Sequence, residues 1–157
     1  MKIKSAMKKQ LKGAKFDQLL EPGLKAIADV GFERKDDCHL LRALLALAKD
    51  ARRDTFYDRT AYECFVNSVH VEDYETRMPL IQAIQFAVRV LTVWNTSAPR
   101  LTLIAIVSAD ELSVGARFHV KRPTEQWLSE NIGGYDDPVM SMESTEDIAS
   151  VLAASLI

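Results

Sequence analysis

The chain has 157 residues, 48% apolar and 27% charged, with a net charge of −2. This is the composition of a globular domain able to bury a core of ordinary size, and it argues against a disordered or fibrous chain. No run approaches the roughly 20 apolar residues of a membrane span, and two widely spaced cysteines suggest a reduced, cytoplasmic protein.

The small net charge hides a strong segregation. The first 15 residues hold six Lys and no acid, whereas Pro123 to Ile157 hold seven carboxylates and no Lys or Arg. Residues 1–53 carry 13 basic and 7 acidic side chains, for +6; residues 54–157 carry 7 and 15, for −8. The two ends either pair with one another or steer a charged partner. The basic start lacks an apolar core and a small-residue cleavage site, so it does not read as a secretory signal.

In chain order, Ile3, Met7 and Leu11 recur at helical spacing and stop at Gly13, predicting a short basic helix, partly frayed over residues 1–15. Pro22-Gly23 opens a second helix with Leu24, Ile27 and Val30 on one face and Gly31 at its end. Asp36 or Asp37 caps a third, running through Leu40, Leu41, Leu44, Leu45 and Leu47 to Lys49, Arg52 and Arg53, apolar over much of its circumference and therefore central. Asp58 caps a short helix from Arg59 to about Val66, and Asn67 to Tyr74 reads either as a helix end or as a short strand. Pro79 starts a helix with Leu80, Ile84, Ala87 or Val88, Leu91 and Trp94 on one stripe.

After Pro99 the period changes from 3.6 to 2. Leu101 to Ser108 is apolar on both faces, as an interior strand is, and Ala109 to Leu112 turns the chain. Val114, Ala116, Phe118 and Val120 alternate with Arg117, His119 and Lys121, predicting a hairpin partner that turns the last three to solvent. Thr124 caps a short helix with Trp127, Leu128 and Ile132, ended by Gly133-Gly134; Val139 to Met142 is a third strand. Ser144-Thr-Glu-Asp147 starts a last helix with Ile148, Val151, Leu152 and Ser155 on its buried side. The expected architecture is one α/β domain of the α+β type over residues 1–157, its helical N-terminal half packed on a small, mainly antiparallel sheet.

Signals of chemistry are sparse. No Gly-x-Ser-x-Gly, Walker loop or dinucleotide fingerprint occurs. Cys38-His39 and the Cys64, His70 pair lack zinc-site spacing, so neither a metal nor any other cofactor is expected. Arg117, His119 and Lys121 on one strand face suit a phosphate ester, with His119 as general acid or base. The Lys-rich start suits nucleic-acid phosphates. The C-terminal third combines Trp127 and Tyr135 with clustered carboxylates, a composition for docking a basic protein.

Five segments carry a resemblance: Phe65-Val-Asn-Ser-Val-His-Val-Glu-Asp-Tyr74, Ala83-Ile-Gln-Phe-Ala87 with Trp94, Val107-Ser-Ala-Asp-Glu111, Arg117-Phe-His-Val-Lys-Arg-Pro123 and Glu125-Gln-Trp-Leu128. Together they resemble the small cytoplasmic immunity proteins encoded beside bacterial polymorphic toxins, including those of contact-dependent growth inhibition, over about Phe65 to Ser144. The resemblance implies a non-enzymatic protein that binds one cognate toxin C-terminal domain, a nuclease in many cases, and blocks its active site or substrate groove. Neither a membrane nor a direct nucleic-acid partner is expected. The expected contacts, taken from the charge layout, are Asp110, Glu111, Glu125, Glu130, Tyr135, Asp136, Asp137 and Glu143. A phosphate-ester hydrolase or nuclease acting through His119, or a nucleic-acid-binding adaptor using the Lys-rich start, are the competing readings.

Overall fold

The computed structural model describes residues 1–97, 100–128 and 137–155, with side chains through 153. Its elements are β1 (Lys2–Ile3), α1 (Ser5–Leu11), α2 (Pro22–Val30), β2 (Phe32–Lys35), β3 (Cys38–Leu41), α3 (Arg42–Leu47), α4 (Arg59–Val66), β4 (Ser68–His70), α5 (Pro79–Thr96), β5 (Leu103–Ala109), β6 (Val114–Val120), β7 (Val139–Glu143) and α6 (Ile148–Ser155). Single 3-10 turns lie at Arg53–Thr55 and Val71–Asp73. The result is the expected mixed α/β architecture: an antiparallel sheet ordered β1-β7-β5-β6-β4, with β2 and β3 as a separate two-stranded sheet.

Local signals explain most of the helices. Pro22 supplies a fixed φ in the first turn of α2, the Glu21 carboxylate accepts from Leu24 N–H at 2.9 Å, and Gly31 leaves the helix at φ 81°. Asp58 Oδ1 accepts from Ala61 N–H at 2.7 Å, the N-cap anticipated for α4. The α1 helix is anchored rather than frayed: Met7 and Leu11 are buried, and β1 pairs with β7 through Lys2–Ser141 and Ile3–Met140. The lysines Lys8, Lys9 and Lys12 remain exposed on its outer side.

The expected third helix is overturned over its first half. Asp36 and Asp37 both adopt positive φ, 53° and 58°, and form the two-residue loop of the β2–β3 hairpin. Such a loop needs left-handed residues at both central positions, and Asp tolerates that conformation because its short side chain bonds locally. Cys38, Leu40 and Leu41 are therefore buried from a strand, and the helix that follows is only six residues long, with Leu47 79% exposed. The helix expected from Thr124 is also absent over residues 124–128. There Arg122 and Glu125 close a turn as an isolated antiparallel bridge; Ile132, Gly133 and Gly134 lie outside the described residues.

One face of the large sheet presents Leu103, Ala105, Val107, Ala116, Phe118, Met140 and Met142 to α5, whose Ile84, Phe86, Ala87, Val90, Leu91 and Trp94 complete the main core. Phe86 and Phe118 meet edge to face at 5.6 Å. The other face carries Ile104, Ile106, Ser141 and His119.

The two sheets meet through α4. Glu63 and Asn67, one helical turn apart and fully buried, hydrogen-bond to both. Glu63 accepts from His39 N–H at 2.7 Å on β3, from Val120 N–H at 2.9 Å on β6, and from both Nη atoms of Arg122 at 2.7 and 2.9 Å. Asn67 Oδ1 accepts from Leu41 N–H at 2.7 Å, and Nδ2 donates to His39 O at 2.9 Å and Phe118 O at 3.1 Å. Five backbone N–H and C=O groups of β3 and β6 are satisfied here.

Removing either residue orphans buried groups. Asn67→Ala should cost about 3 kcal/mol or more in urea unfolding, since each buried group left unpaired costs about 1–3 kcal/mol. Glu63→Leu should cost about 3–5 kcal/mol, because Arg122 remains charged and unpaired; adding Arg122→Met should recover much of that loss.

Candidate functional site

The expected contact carboxylates separate into two groups at opposite ends of the sheet. Asp110, Glu111 and Asp137 gather at the β5–β6 turn. Asp110 Oδ1 accepts from Leu112 and Ser113 N–H at 2.8 and 2.7 Å, and Ala109 N–H donates to Pro138 O at 3.0 Å, which brings Asp137 alongside. All three are exposed, and so is Leu112, at 90%. Beneath them Glu72 accepts from Val114 N–H and Ser113 Oγ, both at 2.9 Å, bracing the turn against the segment after β4. Burial disfavours ionisation of Glu72, but the hydrogen bonds outweigh it and hold its pKa below the usual carboxylate range. Sequence reasoning passed over Leu112; an apolar residue between Glu111 and Ser113 in a predicted turn was the available signal.

Glu125 is spent inside the molecule. Its Oε1 accepts from Thr60 N–H at 3.0 Å, its Oε2 from Arg59 Nη2 at 3.1 Å, and its side chain is 12% exposed. It braces the first turn of α4, a partner that sits 65 residues earlier and leaves no trace in the local sequence. Glu143 faces the other way along β7 and pairs with Lys121 at 2.8 Å. Glu130, Tyr135 and Asp136 lie outside the described residues.

His119 is not on a solvated face. Period-2 alternation correctly sets it opposite Phe118 and Val120, yet it is only 3% exposed, because the chain from Lys121 to Leu128 folds over that face. Between them is a cleft of about 610 Å³, with Ile104, Ile106 and His119 among its lining and Trp127, Ser141 and Glu143 around them. His119 Nδ1 lies 2.9 Å from Val120 O, which accepts its proton and leaves Nε2 as the bare acceptor. Burial, only partly offset by that hydrogen bond and the Glu63 charge, lowers the His119 pKa and keeps the ring neutral.

The phosphate-binding stripe does not assemble as expected. The Arg117 guanidinium lies over the Trp127 ring, 5.3 Å from its centroid, and Lys121 is paired with Glu143. Neutral His119 between these groups is a hydrogen-bond acceptor, not a ready proton donor. Near the acidic turn, His70 Nδ1, Ser113 Oγ and Glu72 also converge, with Nδ1–Oγ 3.2 Å and Nδ1–Oε1 3.6 Å. Serine and carboxylate meet the same ring nitrogen, however, so the imidazole cannot relay a proton between them as in a hydrolase triad.

Cys38 and Cys64 are buried free thiols; burial pushes Cys38 up to about 11 and Cys64 higher still. Among the described residues no three His, Cys, Asp or Glu side chains group as a metal site would need. Likewise no helix is long and apolar enough to cross a membrane.

The model of the Uncharacterized protein PM0498 family matches residues 2–154, and the chain belongs to that family. No curated protein and no solved structure matches it.

Buried His119 makes stability depend on pH. Its folded pKa lies below the ordinary value near 6.5, so the unfolded chain takes up the proton first as pH falls. Urea midpoints should therefore decline from about pH 7.5 to 5.5, stability being fully present above the unfolded pKa. His119→Gln should flatten part of that decline, with half-buried His39, also shifted down mainly by burial, supplying the rest.

Proposed function

We propose that this member of the PM0498 family is an inhibitory binding protein that neutralises a cognate bacterial toxin domain, docking it through the acidic β5–β6 end of its sheet. One observation carries this reading: a leucine 90% exposed in the β5–β6 turn, with the exposed carboxylates of Asp110, Glu111 and Asp137 at the same end of the sheet. An exposed apolar side chain on a turn offers a partner an anchor to bury, and nearby carboxylates select a basic partner and speed its approach. Nuclease domains present basic substrate grooves, and a projecting acidic turn has the shape and charge to fill one. The resemblance of Phe65–Tyr74 and Val107–Glu111 to toxin immunity proteins supports the same class, and both segments contribute to this end of the molecule: Glu72 braces the turn, and Val107 to Glu111 lead into it.

The rest of the charge layout suits binding better than catalysis. The basic start of the chain is tied into the edge of the sheet, β1 pairing with β7 and α1 packing against β7. The one buried histidine is neutral and held by its own backbone, with no acid positioned to reprotonate it among the described residues.

The test is growth protection. Cells producing the toxin C-terminal domain encoded beside this chain should stop growing, and co-production of the chain should restore growth through a 1:1 complex. Asp110→Asn, which keeps the Oδ1 that closes the turn, together with Glu111→Lys and Asp137→Lys should slow association about 10–100-fold at low salt, with unfolding midpoints little changed. Leu112→Ala should weaken binding roughly tenfold or more through faster dissociation. Full protection by the quadruple variant would remove the acidic turn as the docking site; no protection and no complex with the wild-type chain would remove the function.

A further inference from the structure

The cleft on the second face of the sheet has no part in that docking end, and its chemistry points to a small ligand. At about 610 Å³ it falls within the range of small-molecule sites. Three features restrict what fits. The first is His119: 97% of it is withdrawn from solvent, it lines the cleft, and its Nδ1 is committed to Val120 O. Its Nε2 has no hydrogen-bond partner among the described residues, so it asks for an N–H or O–H donor. Facing the cleft, this acceptor is available to a donor that enters it.

The second feature is the surface beside that acceptor. Ile104 and Ile106 give the cleft an apolar patch, against which Leu128 packs, and Trp127, 41% exposed, belongs to the same lining. Arg117 lies over the indole at 5.3 Å and fixes its orientation. A flat ring carrying polar edges suits this slot better than a sugar or an alkyl chain does, since it gains stacking and apolar contact together.

The third is the balance of charge. Within the walls Arg122 is paired with Glu63, Arg59 with Glu125, and Lys121 with Glu143. Lys2 at the rim, opposite Ser141 in the register, has no ion pair among the described residues. The inner cleft therefore favours an uncharged group and the rim an anion.

A flat heteroaromatic with an N–H edge, joined by a short spacer to an anion, is the chemistry of a nucleotide. We propose that this cleft binds a free mononucleotide, its base on the Ile104–Ile106 patch beside Trp127 and donating to His119 Nε2, its phosphate at Lys2. The proposal is independent of toxin binding.

Titration of the full chain with the nucleoside 5′-monophosphates, the matching nucleosides and ribose 5-phosphate tests it, read by the ¹⁵N resonances of the His119 ring. At least one nucleotide should bind at about 1 mM or tighter, shifting His119 Nε2 in the direction of an accepted hydrogen bond. Its nucleoside should bind several-fold more weakly, and ribose 5-phosphate should leave the ring unshifted. Lys2→Ala should equalise nucleotide and nucleoside. Trp127→Ala, at a half-exposed position that leaves the fold intact, should weaken the nucleotide roughly fivefold or more. No shift of His119 with any nucleotide, or ribose 5-phosphate binding as well as the nucleotide, would overturn the assignment.

Discussion

The structure depends on two buried polar side chains. Glu63 and Asn67 stand one turn apart on α4 and answer the backbone of two sheets that share no strand ladder. A carboxylate with no exposure costs several kcal/mol to desolvate, a cost its donors must offset. Here the donors come from β3, from β6 and from Arg122 just past the end of β6. Fixing Glu63 therefore fixes the mutual position of the hairpin, the sheet and the chain that leaves it. Hydrophobic burial supplies the driving force, but it is indifferent to register; hydrogen bonds of this kind make one arrangement preferred.

That constraint reaches the functional surfaces. Arg122 is the first anchor of the segment that folds over the second sheet face, and Glu125, bonded to Arg59 and Thr60, is the second. Between these anchors and Trp127 the cleft over His119 acquires its roof. The acidic turn at the opposite end is held by different means: the β5–β6 ladder, Asp110 closing its own turn, and Glu72 gripping Ser113 and Val114. One end of the sheet is thus covered by the Lys121–Leu128 segment, while the other projects an exposed leucine beside exposed carboxylates. The segregation of charge along the sequence is partly internal, since β1 pairs with β7 and the Met1 amine pairs with Glu146, and partly a surface property of the turn.

Elements whose cause lies within a few residues were legible in the sequence. Pro22 with Gly31, Asp58 before α4, Pro79 before a long stripe, and the change of period after Pro99 each name an element by local physics. The β2–β3 hairpin was not legible, because Asp36-Asp37 serves equally as an N-cap and as a left-handed turn, and a run of leucines suits a buried strand as well as a helix. For the site, alternation told which face His119 occupies but not what covers that face. The role of Glu125 was hidden for the same reason: the groups that claim it lie far back in the chain. Asp110 and Glu111 were legible as exposed turn residues since their environment is set by the turn alone, whereas the approach of Asp137 to them follows from strand order.

Native-state hydrogen exchange of four backbone amides bears most directly on the central constraint. His39 and Leu41 donate to α4 side chains from β3, and Val120 does so from β6, while Ala105 lies in the middle of the large sheet. If Glu63 and Asn67 bind the two sheets into one cooperative unit, all four amides exchange only through global unfolding, with equal free energies of opening and equal denaturant dependence. Exchange of His39 and Leu41 at a much lower free energy than Ala105 would mean that the hairpin opens on its own, and the account of a fold locked through α4 would be wrong.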